Sequence, residues 1–395
     1  MENEIRYNDE TKEILFIGKI TSFVFYNYLF NALREHYKVN GIKILPIFSF
    51  VLVERFDAVV VPNLIGIGII LKGIHKTKIP LRFARTSSTK FLDNAWFFKG
   101  VGKEDYYCET INRGGYATDE LEKTGYELFD FDDRFLGFYN NTNEQTVNNP
   151  EHKVYIYDDD SYSYYSRFID PESTPKELRK IRSDKYDHLK PKIEKRYLSI
   201  LKKIDNEKEK EIIINILTEI ITNSILYSGS KSTAMLQTIG KRTIISVSDF
   251  GVGFEYSFEK KKEIFGEENR EIFNLFTREE QEKYKNYLYI FETLNYSKKR
   301  GESDVRSNLY TLLIGILNEV VMGWNNNIVD GTMRIHYNDT QVVFTSNRCR
   351  KCEIIDPKKC VKCLLDNRSE DKQKSPVRFF NSKFQGVHIE VELNF

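Results

Sequence analysis

Residues 205–253 read DNEKEKEIIINILTEIITNSILYSGSKSTAMLQTIGKRTIISVSDFGVG, and that stretch decides the fold. Its first half is one amphipathic helix. Ile213, Leu217, Ile220, Ile221 and Ile225 recur at three- and four-residue spacing, the period that lines one helical face. Glu219, Thr222 and Asn223 fall on the other side, with Glu219 and Asn223 one turn apart. The helix is expected to stop at Ser228-Gly229, because glycine accepts the left-handed conformation that ends helices. Ser232 to Ile239 and Thr243 to Ser248 then read as strands turning at Gly240-Lys241. The second strand runs directly into Asp249-Phe250-Gly251-Val252-Gly253.

The order Glu-x3-Asn on a helix, a hairpin, then Asp-x-Gly-x-Gly resembles the ATP-binding domain of the GHKL, or Bergerat-fold, proteins, among them gyrase, histidine kinases and MutL. The residue types carry matching chemistry. Asn223 offers a neutral oxygen suited to Mg2+, a hard cation that keeps most of its waters. Glu219 is placed to orient and deprotonate a water attacking the γ-phosphate of ATP. Asp249, ending a strand, can accept a hydrogen bond from the adenine amino group. Gly251 and Gly253 let the backbone turn tightly where a Cβ would clash.

After Gly253 a charged helical insertion, Phe254 to Asn295, leads to Tyr296-Ser297-Lys298-Lys299-Arg300-Gly301. The resemblance places the ATP lid here, and Lys298, Lys299 and Arg306 are the phosphate-contact candidates by charge and position. A second glycine box would open the next helix, but Ser303-Asp304-Val305-Arg306-Ser307-Asn308-Leu309 stands there without it. The helix itself is marked by the stripe Leu309, Leu312, Leu313, Ile316, Leu317 and Val320. Strands are expected at Thr332 to Tyr337 and Gln341 to Thr345, turning at Asn338-Asp339, with a last strand from Val387 to Phe395. Where the family carries Phe-x-Gly-Thr before that strand, this chain has Phe384-Gln385-Gly386-Val387. The missing hydroxyl makes Thr345 or a water its expected replacement.

Upstream, Glu13 to about Tyr107 alternates strand-like and helix-like segments: a strand at Glu13–Ile20, a helix at Phe23–Tyr37 and strands at Gly41–Ile47 and Phe56–Val61. A helix from Pro62-Asn63 to Lys76, a strand at Pro80–Ala84 and a helix at Lys90–Lys99 follow. Residues Phe56–Phe98, with Leu64-Ile65-Gly66-Ile67-Gly68, look like a STAS domain, the fold of anti-sigma-factor antagonists. The strand-to-helix junction, Pro62-Asn63-Leu64, lacks the serine of phosphoregulated members. The resemblance therefore implies a surface for docking a protein partner. Gly114 to Thr174 has little periodicity, and Pro175 to Asp205 is a charged helix read as a brace, with a homodimer contact as its other role.

The expected fold class is α/β (α+β). It comprises a STAS-like domain over residues 1–110, a connector and brace helix over 111–204, and a C-terminal Bergerat sandwich over 205–395 with a small four-cysteine insertion at 347–383. That insertion carries Cys349-x2-Cys352-x7-Cys360-x2-Cys363, two pairs suited to a tetrahedral Zn2+ site. Four free cysteines is the alternative. Arg348, Arg350, Lys351, Lys358, Lys359 and Lys362 outnumber Glu353 and Asp356 there, so a nucleic-acid or acidic-protein contact is open. Cys108 stands apart, and His336 and His388 take no metal role.

Across 395 residues the net charge of +1 gives no general argument for nucleic-acid or membrane binding. The apolar runs Ile44–Val53 and Leu64–Leu71 are too short to cross a bilayer. The acidic start Met1-Glu2-Asn3-Glu4-Ile5 lacks a signal-peptide core, so a cytoplasmic location is expected. The leading functional expectation is slow Mg-dependent ATP hydrolysis driving a conformational or assembly switch. The alternatives are a serine kinase of anti-sigma type and an ATP-sensing scaffold that does no chemistry.

Overall fold

A computed structural model of the protein describes residues 3–84, 86–95, 97, 128–131, 152–157, 175–265, 270–301, 309–317, 330–346 and 356–395. The fold is mixed α/β with two five-stranded sheets. By contact the chain divides into two units, Met1–Ile156 with Thr233–Gln237, and Tyr157–Ser232 with Thr238–Phe395. Among the described residues no helix is long and apolar enough to cross a membrane.

In the first unit β1 (Glu4–Asn8) lies antiparallel to β2 (Glu13–Ile20). Then β2, β3 (Ile47–Phe56), β4 (Ile79–Arg82) and β5 (Phe129–Asp130) run parallel in that order. Parallel neighbours need long crossovers, supplied by α1 (Ser22–Asn40) between β2 and β3 and α2 (Val60–His75) between β3 and β4. Thr21 caps α1 by accepting the Val24 N–H at 3.2 Å. The short helix α3 (Ser87–Asn94) begins three residues before the expected Lys90.

Two strand expectations are corrected. The segment from Gly41 is strand only from Ile47 onward, and Phe56–Val61 is the end of β3 followed by the start of α2. An apolar run without alternation fits a buried helix as well as a buried strand, and Val60 through Gly68 are all buried in α2. Pro62 sits in the first turn, where its missing N–H costs no intrahelical bond. The strand-to-helix junction therefore falls at Asp57-Ala58-Val59, upstream of Pro62-Asn63-Leu64, and it too lacks a hydroxyl side chain.

The second sheet has the order β6 (His152–Tyr157), β7 (Ser232–Ile239), β8 (Arg242–Asp249), β10 (Val377–Asn394), β9 (Asp330–Thr345). Strand β10 is antiparallel to β8, from His388 opposite Ser248 to Asn394 opposite Arg242, and antiparallel to β9 on its other side. Its register against β9 breaks between Phe379 and Phe384 and again between Phe384 and Val387. The expected last strand is thus the second half of a longer one, and Val377–Phe379 already pair with Thr340–Val342 instead of belonging to the cysteine insertion. The expected reversal at Asn338-Asp339 is present as a fold-back within β9. Asn338 has φ 53, and Ser346 Oγ lies 2.8 Å from Gly331 N and 3.0 Å from its carbonyl oxygen.

The helices of the second unit are α4 (Pro175–Leu201), α5 (Glu207–Ser228), α6 (Gly253–Phe265), α7 (Arg278–Lys283), α8 (Lys285–Gly301), α9 (Leu309–Leu317) and α10 (Pro357–Asp366), among the described residues. Helix α4, read from the sequence as a brace, packs on α5 within this unit. In the middle of helix α5 the polar residues Thr218, Glu219, Thr222 and Ser224 are buried along with its isoleucines, while Asn215 and Asn223 are half-buried.

Two buried histidines make this sheet acid-sensitive. His336 and His388 are cross-strand partners with ring centroids 5.7 Å apart, and Phe384 stacks on His388 at 4.2 Å. Burial pushes His336 down to about 3 and His388 well below its ordinary 6.5, each held neutral in the fold. An unfolded chain takes up protons there first, so their contribution is complete above pH 6.5 and is lost as pH falls toward the folded values. Urea titrations should show wild type losing up to about 1.4 kcal/mol per pH unit for each histidine between pH 6 and 4. His336→Phe should lose visibly less; equal slopes would show that these rings do not govern acid sensitivity.

Candidate functional site

The site grows from α5. Asn206 caps the helix by accepting the Lys208 N–H at 3.0 Å, and Gly229 ends it at φ 65. Between those ends Glu219 and Asn223 lie one turn apart, and Asn223 Nδ2 donates to Glu219 Oε1 at 2.8 Å. Glu219 is fully buried, 0% exposed. A buried carboxylate is tolerable only with a charge partner and hydrogen bonds, and here the partner is Arg182 of α4, paired with the same Oε1. One turn along α4, Tyr186 donates to Asn215 Oδ1 at 3.3 Å, one turn back along α5. These two rungs fix the helices antiparallel. Tyr186 is pushed up to about 12, by burial first and by the Glu219 charge second.

Asp249, at the end of β8, is 4% exposed. Its Oδ1 accepts the N–H of Gly251 at 3.2 Å and of Val387 at 3.3 Å, while Oδ2 accepts the Ser224 hydroxyl at 3.3 Å. Burial outweighs these donors and raises the carboxyl to about 7. The Val387 N–H is aimed by the β10 irregularity, which places Gln385 and Gly386 outside the regular pairing. Ser224 follows Asn223 directly, so the end of β8 is tied to α5 one residue from the expected metal ligand.

The glycines are required by close approach. A Cβ on Gly251 would sit 1.8 Å from the Ser228 carbonyl oxygen, which accepts the Val252 N–H at 2.9 Å. Gly253 has φ 73 and begins α6, and a Cβ there would meet Tyr337 at 2.4 Å. Ser224 and Ser228 thus tie the Asp249 turn to the helix that carries Glu219 and Asn223, and Tyr337 lies against Gly253.

Other expected residues fall elsewhere. Thr345 adjoins Ser346, which is bonded to Gly331, six residues or about 20 Å along β9 from Tyr337. Thr345 therefore lies toward the far end of the folded-back β9, and the hydroxyl bonded to Asp249 is that of Ser224. Lys298 is ion-paired with Asp356 at 3.0 Å, so its charge is already engaged within the fold. Arg306 and the side chain of Lys299 lie outside the described residues. Sequence reasoning missed Arg182 and Ser224. A hydroxyl directly after Asn223 in an isoleucine-rich helix was a readable signal, whereas Arg182 is one cation among many on α4.

Cys360 and Cys363 lie on α10, one turn apart, and Cys349, Cys352 and Cys108 are outside the described residues. Helix α10 has apolar support of its own: Val361 and Leu365 are buried, and Tyr287 of α8 donates to the Val361 carbonyl at 2.7 Å. Metal is thus not the sole support of this part of the insertion. Lys358 pairs with Glu271 at 2.9 Å and Lys362 lies 5.6 Å from the Phe276 ring centroid, so two of the basic residues serve internal contacts. Among the described residues no group of three or more His, Cys, Asp or Glu side chains is arranged to hold a metal ion.

No family model, curated protein or solved structure matches the chain.

The raised Asp249 carboxyl contributes stability that is complete below its ordinary 3.8 and is lost as pH rises through about 7. Relative to Asp249→Asn, wild type should lose on the order of 4 kcal/mol between pH 4 and 7 by chemical unfolding; parallel pH profiles would refute the buried carboxyl. Gly251→Ala should cost about 3 kcal/mol or more, since its Cβ meets backbone, and an unchanged melting temperature would contradict that close approach.

Proposed function

We propose that the second unit binds ATP with Mg2+ in the manner of GHKL domains and hydrolyses it slowly to ADP and phosphate, driving a conformational or assembly switch. What supports the reading is two sets of hydrogen bonds on neighbouring residues of α5, Arg182 and Asn223 to Glu219 and Ser224 to Asp249. In this reading Asp249 reads adenine. Two backbone N–H groups hold Oδ1, and Oδ2, which accepts from Ser224, has a second lone pair for the adenine amino group. Asn223 is the Mg2+ ligand: its amide nitrogen is committed to Glu219, and among the described residues its Oδ1 accepts no hydrogen bond. Bound Mg2+ would neutralise phosphate charge. Glu219 would orient the attacking water and take its proton.

The complete burial and ion pairing of Glu219 favour a second reading, a scaffold that senses ATP without turning it over. For the cysteines we propose a structural Zn2+ held by Cys349, Cys352, Cys360 and Cys363. Its support is the last two lying one turn apart on α10, spaced to offer thiolates from one face. The first unit is assigned to docking an unidentified protein partner.

Equilibrium binding and phosphate release test these assignments together. Asp249→Asn should weaken Mg-ATP binding at least about 10-fold, and unchanged affinity would remove the site. Glu219→Ala should bind ATP but release no phosphate; label appearing on a partner serine would instead favour a kinase. Purified protein should carry one zinc, lost on changing Cys349 and Cys352 to Ser, and zinc-free wild type would sink that assignment.

A further inference from the structure

We infer that Arg182, on a helix ahead of the residues that resemble an ATP-binding domain, is a positioning residue for hydrolysis, holding the Glu219 carboxylate that takes the proton of the attacking water. The inference rests on the ATPase reading above and extends it to a residue outside the expected domain at 205–395.

The geometry carries the argument. Arg182 and Asn223 converge on one oxygen, Glu219 Oε1, from two helices. The amide of Asn223 alone leaves a carboxylate able to turn about its last side-chain bond; a guanidinium from the opposite helix removes that freedom. Arg182 cannot drift independently, because the Tyr186–Asn215 hydrogen bond one turn away locks α4 in register on α5. Among the groups facing Glu219 are Arg182 and Tyr186 from α4 and Asn223 from its own helix. Fixing Oε1 also fixes Asn223, whose nitrogen is bound to it and whose oxygen is thereby presented for the metal. One cation orients both members of the Glu-x3-Asn pair.

In the step itself, the water oxygen forms a bond to the γ-phosphorus and the bond from γ-phosphorus to the β,γ-bridging oxygen breaks. The electron pair of that bond leaves on ADP, and the water proton passes to the Glu219 carboxylate and then to solvent. Arg182 touches neither ATP nor water. Its contribution is to orientation, which governs turnover more than binding.

The test uses the full chain, with steady-state phosphate release and equilibrium binding of a non-hydrolysable ATP analogue. Arg182→Met should lower kcat about 10- to 100-fold, with KM and analogue affinity within about threefold of wild type. Arg182→Lys should recover part of the rate, because the charge remains while the fork is lost. Equal or faster turnover in Arg182→Met, or a loss of analogue affinity in step with kcat, overturns the proposal; the faster case would make Arg182 a brake. Should Arg182→Met fail to fold, Arg182→Lys decides. A lower kcat at wild-type analogue affinity supports positioning, and unchanged or raised kcat overturns it. Wild type that binds the analogue but releases no phosphate removes the hydrolysis reading and this inference together. Turnover in wild type beside an equally active Arg182→Met removes this inference alone.

Discussion

A fully buried carboxylate is the constraint on which the second unit turns. Glu219 lies in the middle of α5 with no exposed surface, and the cost of stripping water from a charge there must be offset locally. The offset comes from two directions, the guanidinium of Arg182 and the amide of Asn223. Both donors lie on helices, so the requirement propagates: α4 must lie antiparallel on α5, in the register that places Tyr186 against Asn215. The ion pair and the Tyr186–Asn215 hydrogen bond are thus satisfied by one and the same antiparallel register.

The same constraint operates at Asp249. Its carboxyl is raised to about 7 because three donors do not fully replace lost water. Those donors come from three places in the chain: the Gly251 turn, the irregular segment of β10 before Val387, and Ser224 of α5. Two of the three come from irregular backbone. Gly251 must be a glycine for the chain leaving β8 to pass so close to Ser228, and β10 must break register for Val387 to point its N–H at the carboxylate. Around Asp249 the irregular backbone supplies N–H donors that a regular ladder would commit elsewhere.

The sequence was informative where one segment carries its own period. Helix α5, the strands on either side of Gly240-Lys241 and the Asp-x-Gly-x-Gly turn all follow from local patterns, because apolar spacing and glycine positions act over a few residues. It misled where burial came from a distant segment. The face of α5 carrying Glu219 and Thr222 looks solvated in sequence, yet α4 covers it. Phe56–Val61 looks like a buried strand because an apolar run without alternation is blind to the difference between strand and helix, and length decides only once the ends are known.

The misread face of α5 has a cause that bears on the site itself, because its burial is set by contacts between residues tens of positions apart, such as Arg182 with Glu219. A motif read along the chain finds the groups proposed to act on a ligand, since those cluster on one helix and one turn. It does not find the groups that hold them, since holding requires a second element. The division between acting and holding residues is therefore also a division between what spacing can reveal and what packing alone can. On that reasoning a domain boundary drawn at Asp205 from the motif separates Glu219 from Arg182, its support, and the smallest intact unit must reach back through α4.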